Sequence, residues 1–159
     1  MKAITIIQPW ATLIALGEKN FETRGWATKY RGPLAIHAGK KVDREACEME
    51  PIKSTLAEYG YTADELPTGA VVAIAELTEC WSVSRCLRGD IILERDGGNE
   101  MREDSIGKRE EAFGYYDDGR YAWELTDVKQ LPVPIPAKGQ QGLWNWQPLQ
   151  EWKMGGAES

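Results

Sequence analysis

Residues 8–38, QPWATLIALGEKNFETRGWATKYRGPLAIHA, contain signals for the start of a helix, its end and two short strands. Pro9 is tolerated in the first turn of a helix, which the apolar residues between 11 and 16 extend. Gly17 is suited to end it, because glycine readily adopts the left-handed conformation that follows a helix. A turn at Arg31-Gly32 separates two strand-forming runs. The strands predicted in and before this stretch are residues 2–7, 20–24 and 33–38.

The rest of the chain alternates strand-forming runs with glycine and proline breaks. Asp43 predicts the start of a helix that reaches Tyr59 and that Pro51 splits into two pieces. Residues 131–136 carry proline at alternate positions, so they are expected along a barrel edge, where a missing backbone donor is tolerated. Further strands are predicted at residues 70–77, 120–126 and 142–146. This pattern predicts an α+β fold, a small and partly closed β-barrel with two or three flanking helices.

A chain of 159 residues suits one domain with its own core. No repeat or linker divides residues 1–150, which we expect to form this domain, followed by a loose tail at residues 151–159. Residues 84–118 combine glycines with a charged run, and they are expected to be a surface insertion with a short helix.

The net charge is −6 and the pI is near 4.9, which argues against nonspecific coating of duplex nucleic acid. A local basic strip nevertheless lies between positions 19 and 41, where Glu22 is the only acid. Its members are Lys19, Arg24, Lys29, Arg31, Lys40 and Lys41. Most acids lie later, in residues 43–66 and 90–127. On charge alone, both regions are equally well explained as solvated faces.

No apolar run approaches the roughly 20 residues that span a bilayer, and Gln8-Pro9 interrupts the first strand before a signal peptide could form. We therefore expect a cytoplasmic protein without a membrane partner. Cys47, Cys80 and Cys86 are odd in number and are expected to be free thiols. Their spacing and the single histidine, His37, favour neither a metal site nor a cofactor.

Three motifs in residues 8–38 resemble those of the ASCH domain, especially the form found in a eukaryotic transcription coactivator. They are Gln8-Pro9-Trp10-Ala11, Gly17-x-Lys19-x-x-Glu22-x-Arg24-x-Trp26-x-Thr28, and Arg31-Gly32-x-Leu34-x-Ile36-x-Ala38. The family's order continues with Gly69 to Val72, Glu76 to Cys80, Trp123, and Pro136 to Trp144. The resemblance implies a PUA-like β-barrel with a cleft between barrel and first helix, used on RNA or modified bases.

The same residues have the chemistry that a nucleotide requires. Lysine and arginine can meet phosphates, tryptophan can stack on a base, and glutamine or glutamate can hydrogen-bond a base edge. The candidate ligand-binding residues are Gln8, Trp10, Arg24, Trp26, Thr28, Arg31 and His37. The expected partner is RNA, single-stranded nucleic acid or a nucleoside.

The resemblance also raises a catalytic hypothesis. Some small bacterial relatives are amidohydrolases of an acetylated cytidine that use a lysine, a threonine and a glutamate. Lys19 and Glu76 stand at the matching lysine and glutamate positions, but Glu22 replaces the threonine, which removes the expected nucleophile. Another member of the family is described as a ribonuclease. Lys19, Glu22 and Glu76 are therefore the candidate catalytic residues of a hydrolase.

Structural roles are open alternatives for several candidates. Trp10 is suited to cover the barrel end, and Glu22 with Arg24 is suited to form a salt bridge on one strand face. His37, within a strand, is more typical of a hydrogen-bonded barrel residue than of a catalyst. The indoles of Trp123, Trp144 and Trp146 form either a stacking platform or an aromatic cluster. The sequence thus favours a binding module, with a hydrolase and a protein-interaction domain as rivals, and leaves the oligomeric state open.

Overall fold

The computed structural model describes residues 1–95, 101–102 and 106–148, with the backbone alone described for residues 101 and 102. The tail expected at residues 151–159 lies outside these residues. The strands are β1 (Lys2–Gln8), β2 (Phe21–Arg24), β3 (Gly32–Val42), β4 (Ala70–Arg85), β5 (Ile91–Arg95), β6 (Met101–Arg102), β7 (Tyr121–Pro136) and β8 (Leu143–Asn145). The helices are α1 (Trp10–Ala15), α2 (Arg44–Cys47), α3 (Ile52–Glu58) and α4 (Lys108–Phe113). The predicted α+β fold is confirmed, with four short helices among the described residues where two or three were expected.

The strands form one mixed sheet in the order β2-β7-β4-β3-β1-β8, and β5 adds to β4 with β6 beside it. The β1–β3 pair is parallel, whereas the other pairs are antiparallel. No ladder joins β1 to β2 in the described part of the chain, so the barrel is not closed there.

The opening arises because β8 pairs with only the first part of β1, from Lys2 to Ile4. Among the residues that the structure describes, the backbone beyond this point has no neighbouring strand on that side. Arg24 of β2 reaches across the gap, and its Nη2 donates a 2.8 Å hydrogen bond to the carbonyl oxygen of Thr5. A side chain therefore connects the two strands, and a cleft opens beside it.

The barrel interior and the covering helix share one apolar core, formed by fully buried side chains of β1, β3, β4, β7 and α1. Ile14 of α1 packs against Ile36 and Trp123 in this core. Burying an aliphatic side chain of this size stabilises a fold by about 1.5–3 kcal/mol. The core therefore fixes α1 against the open end of the barrel.

Local sequence signals set the helix boundaries. Gly17 adopts φ of 78° immediately after α1, as expected for the residue that ends a helix. Asp43 accepts a 3.0 Å hydrogen bond from the Ala46 backbone N–H, and Pro51 separates α2 from α3, as the sequence predicted. These ends lie in residues adjacent in the chain, which explains why the sequence shows them.

Two strands are much longer than predicted. The apolar run at residues 70–77 is the first half of β4, which continues to Arg85, and residues 120–126 and 131–136 both belong to β7. The proline-rich half of β7 pairs with β4 on one side, where Val71 lies opposite Ile135. Because β2 pairs with only Tyr121 to Glu124, this half has no strand on its other side in the described chain. Its prolines therefore lie along an edge.

The segment at residues 84–118 contributes buried side chains as well as surface. Ile91 and Leu93 of β5 pack with Phe21 and Tyr116 in a second apolar cluster. Phe113, at the end of α4, packs against α1 and α3 in a third. This segment consequently reaches the neighbourhood of β2 and α1, although the sequence around it looks like a loop.

Candidate functional site

The gap between β1 and β2 forms a cleft of about 540 Å³, within the usual size range of small-ligand sites. Its walls come from the end of β1, the start of α1, β2 with the turn after it, and the segment that follows α4. The lining residues are Thr5, Ile6, Ile7, Trp10, Lys19, Glu22, Thr23, Arg24, Gly25, Trp26, Phe113, Gly114, Tyr115 and Arg120.

The floor of the cleft is a charged triad of Lys19, Glu22 and Arg24. Lys19 is only 1% exposed, and its ammonium group donates to the carbonyl oxygen of Phe21. Its Nζ lies 3.5 Å from Glu22 Oε1, and Arg24 Nε donates a 3.0 Å hydrogen bond to Glu22 Oε2. The structural salt bridge considered from the sequence is therefore present, and it lies inside the cleft.

Chain geometry explains this convergence. After Gly17 the chain turns back, and the backbone N–H groups of Glu18 and Lys19 both donate to the carbonyl oxygen of Leu13, at 3.0 and 3.1 Å. Lys19 is thereby held against the end of α1. Glu22 and Arg24 are two apart on β2, so they share one face of the strand.

Three aromatic side chains surround this floor. Trp26 is 38% exposed, and its ring meets buried Trp123 edge to face, with centroids 4.8 Å apart. The indole N–H of Trp123 also donates to the Trp26 carbonyl oxygen at 3.3 Å. Trp10 is half-buried at the start of α1, and Tyr115 is 59% exposed on the opposite wall. Trp26 and Tyr115 therefore present ring surface to a ligand.

The wall that carries Tyr115 was missed from the sequence. Arg120 lies 4.6 Å from the Tyr115 ring centroid, and its Nε and Nη2 donate to the carbonyl oxygens of Tyr115 and Thr23, each at 3.3 Å. The backbone N–H of Tyr115 donates to Thr23 Oγ1 at 3.0 Å. The available signal was the aromatic run from Phe113 to Tyr116 within a charged segment, which is unusual for a solvated loop.

A second acid, Glu110 of α4, lies near Lys19. Glu110 Oε1 accepts a 2.7 Å hydrogen bond from the Asn20 backbone N–H. Burial raises the pKa of the Glu110 carboxyl, while Lys19 and the N–H groups of Asn20 and Phe21 act in the opposite direction. Burial, followed by the charges of Glu110 and Glu22, also raises the pKa of the Tyr116 phenol, which stays protonated. Lys19 is thus the cation that compensates two enclosed carboxylates.

Four of the predicted ligand-binding residues lie away from the cleft: Gln8, Thr28, Arg31 and His37. Gln8 is fully buried, and its amide donates to Thr12 Oγ1 and to the Pro67 carbonyl oxygen, both at 2.7 Å, while its Oε1 accepts from the Thr12 N–H. The Gln8 amide therefore fixes α1 and the loop before β4, and both of its N–H donors are occupied.

His37 is buried on the other side of β1. Its Nδ1 lies 3.2 Å from Thr5 Oγ1 and its Nε2 lies 2.7 Å from the Ala137 carbonyl oxygen. That carbonyl accepts only, so Nε2 carries the proton and Nδ1 accepts from Thr5. Trp144 Nε1 donates to the same hydroxyl oxygen at 3.1 Å. His37 is consequently a hydrogen-bonded barrel residue. This is the structural role that the sequence left open for it.

Thr28 and Arg31 line a neighbouring depression instead of the cleft. Arg31 Nη2 donates a 2.7 Å hydrogen bond to Glu79 Oε1, and its Nη1 donates to the Thr28 and Tyr30 carbonyl oxygens. Burial alone would raise the pKa of Glu79, but Arg31 and the Cys80 N–H hold it below the usual value. Glu79 Oε2 also pairs with Arg95 Nε at 2.9 Å, so the carboxylate that holds Arg31 is shared between two arginines.

Glu76 is not brought to Lys19 and Glu22. It lies on β4 opposite Pro33 of β3, and its charge acts on the Tyr30 phenol, whose pKa is raised by burial and then by Glu76. Among the described residues that line the cleft, Glu76 is absent. Of the three catalytic candidates, the structure therefore unites Lys19 and Glu22 only.

The three indoles near the chain end do not form one platform. Trp123 belongs to the barrel core, whereas Trp144 and Trp146 are buried with Ala3 and Leu131 in another cluster. The sequence alternation of Trp144 and Trp146 reflects packing. Trp123 serves the cleft indirectly, as the support of Trp26.

A depression of about 910 Å³ lies between residues 85–92 and 106–111. Arg85, one of the two arginines that line it, is engaged with Glu111 at 3.0 Å and with the Tyr116 and Gly89 carbonyl oxygens. We place the candidate site in the smaller cleft because cations and exposed aromatic rings meet there.

In residues 1–95 and 106–148, no group of three or more His, Cys, Asp or Glu side chains is arranged to hold a metal ion. The helices of this part of the chain include none that is long and apolar enough to cross a bilayer. Cys47, Cys80 and Cys86 form no disulfide with one another.

Gly114 is required by the close packing of the wall, and we expect Gly114→Ala to reduce stability by about 1–3 kcal/mol, the usual cost of overpacking. An added Cβ would lie 2.7 Å from Tyr116 Cε2 and 3.3 Å from Thr23 Cγ2. Denaturant unfolding measures the change. Gly107→Ala is the control, because its Cβ would meet nothing within 4 Å. Equal stability of the two variants would contradict this account.

Comparison with known proteins agrees with the fold and the motifs. The sequence model of the ASCH domain matches residues 4–134. Activating signal cointegrator 1 of Homo sapiens is 23% identical over 144 residues, and that of Mus musculus is 24% identical over the same length. Each alignment covers 89% of this chain and 21% of the relative, so the chain spans about a fifth of those proteins.

A crystal structure of ASCH from Zymomonas mobilis superposes with a TM-score of 0.50 at 16% identity, covering 98% of this chain and 93% of that one. At this identity the likeness concerns the fold alone. The sequence model of the family covers most of the chain, from residue 4 to residue 134. The chain therefore belongs to the ASCH domain family.

Proposed function

We propose that the cleft binds one nucleotide, free or within a single strand of RNA. The observation that carries the proposal is the meeting of Arg24 and Arg120 with the exposed rings of Trp26 and Tyr115 around one opening. Arginine suits phosphate, and an aromatic ring stacks on any base, so the combination is typical of sites for unpaired nucleotides.

The two arginines retain free donors for a phosphate. Arg24 uses Nε for Glu22 and Nη2 for Thr5, and Arg120 uses Nε and Nη2 for backbone carbonyl oxygens. Within the described part of the chain, Nη1 of each makes no hydrogen bond. Their guanidinium planes are held by these contacts, which lowers the entropy cost of binding.

Size and charge favour a short ligand. A cleft of about 540 Å³ suits one small-molecule unit. The rest of the protein is acidic, with a net charge of −6 for the whole chain, and repels a long phosphate backbone. A single base inserted into the cleft with its phosphate at Arg120 satisfies both constraints.

The geometry supports binding more than hydrolysis. Lys19 is enclosed and already engaged with Phe21 and Glu22, so its amine is not presented to a substrate. Glu22 occupies the position where the related amidohydrolases have threonine, and Glu76 lies elsewhere. A hydrolase of that type would lack both its threonine nucleophile and its glutamate in this cleft.

Removal of the rim charge tests this proposal. We expect Arg120→Ala to weaken binding of a fluorescent oligouridylate containing one guanosine about tenfold, the loss typical of one charge-assisted hydrogen bond. The slope of log affinity against log salt should become shallower by about one phosphate contact. Fluorescence anisotropy at several salt concentrations measures both quantities.

Two controls accompany this titration. Arg120→Lys keeps the charge and should retain part of the affinity. Arg44→Ala removes an exposed arginine that pairs with Asp64 away from the cleft, and it should bind like the wild type. Absence of saturable wild-type binding at low salt, or equal loss in Arg44→Ala, would show the proposal to be wrong.

A further inference from the structure

One charged side chain of the cleft accepts hydrogen bonds and cannot donate them. Among the described residues that line it, Glu22 is the only carboxylate, and its side chain is 11% exposed. The neighbouring polar groups are mostly the donors of Lys19, Arg24 and Arg120. A ligand group that reaches Glu22 must therefore bring N–H or O–H donors.

The Glu22 carboxylate is also fixed in orientation. Lys19 holds Oε1 and Arg24 holds Oε2, so each oxygen is anchored by a different cation. An ionised carboxylate has about four acceptor positions, two on each oxygen. One position on each oxygen thus remains, and the two side by side match a ligand with two adjacent donors.

We infer that the cleft selects guanine, with its N1–H and 2-amino group donating to the two oxygens of Glu22. This inference rests on the proposed nucleotide-binding function and deepens it. Guanine is the base whose Watson–Crick edge carries two adjacent donors. Adenine and cytosine place one amino donor beside a ring acceptor, and uracil places one N–H between two carbonyl oxygens, so each would direct a lone pair at the carboxylate.

The remaining walls fit this orientation of the base. Trp26 and Tyr115 line the same cleft as Glu22, and their rings suit stacking on a base whose donor edge is on Glu22. Arg120, which also lines the cleft, is the cation for the guanosine phosphate in this arrangement. In this arrangement Glu22 determines the selectivity for guanine, and the aromatic rings with Arg120 contribute the affinity.

The test keeps the wild-type protein and compares nucleotides that lack individual hydrogen-bond donors of guanine. Calorimetry compares GMP with IMP, which lacks the 2-amino group, with 1-methyl-GMP, which lacks the N1 donor, and with AMP, CMP and UMP. We expect every other nucleotide to bind at least about tenfold more weakly than GMP, because a lost hydrogen bond to a charged group costs that factor or more. AMP or UMP within about twofold of GMP, or undiminished binding of 1-methyl-GMP, would overturn the inference.

A second arm distinguishes the free nucleotide from RNA. The trinucleotides UpGpU and UpIpU are compared in the same way, and preference for the guanine form is expected in both formats. Tighter binding of UpGpU than of GMP identifies RNA as the source, and the reverse identifies the free nucleotide. Equal binding of all bases removes the guanine inference and leaves nucleotide binding intact, whereas no binding of any ligand removes both.

Glu22→Gln provides the protein-side control, because the amide keeps an acceptor for Lys19 but replaces one acceptor by a donor. GMP affinity should fall by about tenfold or more, and the preference for GMP over AMP should nearly disappear. Circular dichroism and denaturant unfolding show whether the variant is folded. If the variant is not folded, the comparison of nucleotides with the wild-type protein still tests the inference.

Discussion

Lys19→Met is expected to lower the free energy of unfolding by about 3–5 kcal/mol, the usual effect of removing one partner from a buried ion pair. The ammonium group is enclosed, and it compensates both Glu22 and Glu110. Methionine approximately fills the volume of the lysine stem but leaves two carboxylates near each other with only Arg24 as a paired cation. Urea unfolding at pH 7 measures the change.

The pH dependence of this loss identifies its cause. Without Lys19, burial raises the pKa of the Glu110 carboxyl in the folded protein further above its unfolded value. A carboxyl with a raised folded pKa favours folding when protonated, so the deficit of Lys19→Met should shrink as pH falls toward about 4.5, the ordinary value for glutamate. It should be largest at neutral pH.

Lys53→Met is the matched control, since that side chain is 58% exposed and its ammonium group pairs with exposed Glu48. Exposed pairs contribute about 0–1 kcal/mol, so this variant should unfold nearly like the wild type. A loss in Lys19→Met as small as that of the control, or one independent of pH, would contradict the role assigned to Lys19.

The sequence could predict the floor of the cleft because its residues are neighbours in the chain. Glu22 and Arg24 share a strand face through simple alternation, and Gly17 turns the chain so that Lys19 returns toward them. Trp26 follows in the same polar turn. Interactions over two or three residues depend little on the tertiary arrangement, which is why local patterns indicated them.

Residues whose partners are distant in sequence were misplaced. Gln8 meets the carbonyl oxygen of Pro67, and Arg31 meets Glu79, across 59 and 48 positions respectively. A motif shows that these side chains are polar but not which group satisfies them. Both looked available to a ligand for this reason, and both are used by the fold.

The wall of the cleft that carries Tyr115 and Arg120 could be predicted only with knowledge of the register of the β-sheet. Tyr115 and Arg120 reach β2 because β7 begins at Tyr121 and pairs with β2, so that Tyr121 lies opposite Arg24. The length of β7 was not apparent, since its prolines suggested a separate segment. Without that pairing, residues 113–120 looked like the end of a loop, although Phe113 and Tyr116 are buried.

Trp123 connects the barrel core to the cleft, and Trp123→Ala is expected to cost about 3–5 kcal/mol, as for other large aromatic residues removed from a core. The side chain is 0% exposed and packs with Ile14 and Leu125. Its loss also removes the ring edge and the N–H donor that position Trp26. Stability and RNA binding should therefore fall together in this variant.

Two further tryptophan variants separate packing from stacking. Trp123→Phe keeps most of the core volume but loses the donor to the Trp26 carbonyl oxygen, so its stability should lie between those of the wild type and Trp123→Ala. Trp26→Ala removes a partly exposed ring, and it should weaken RNA binding about tenfold, within the range for one stacked base, while changing stability little. Denaturant unfolding and anisotropy on the same samples distinguish the effects. Wild-type stability in Trp123→Ala, or normal RNA binding in Trp26→Ala, would contradict this account. In that case buried Trp123 would not hold the ring of Trp26 in place for stacking on a base.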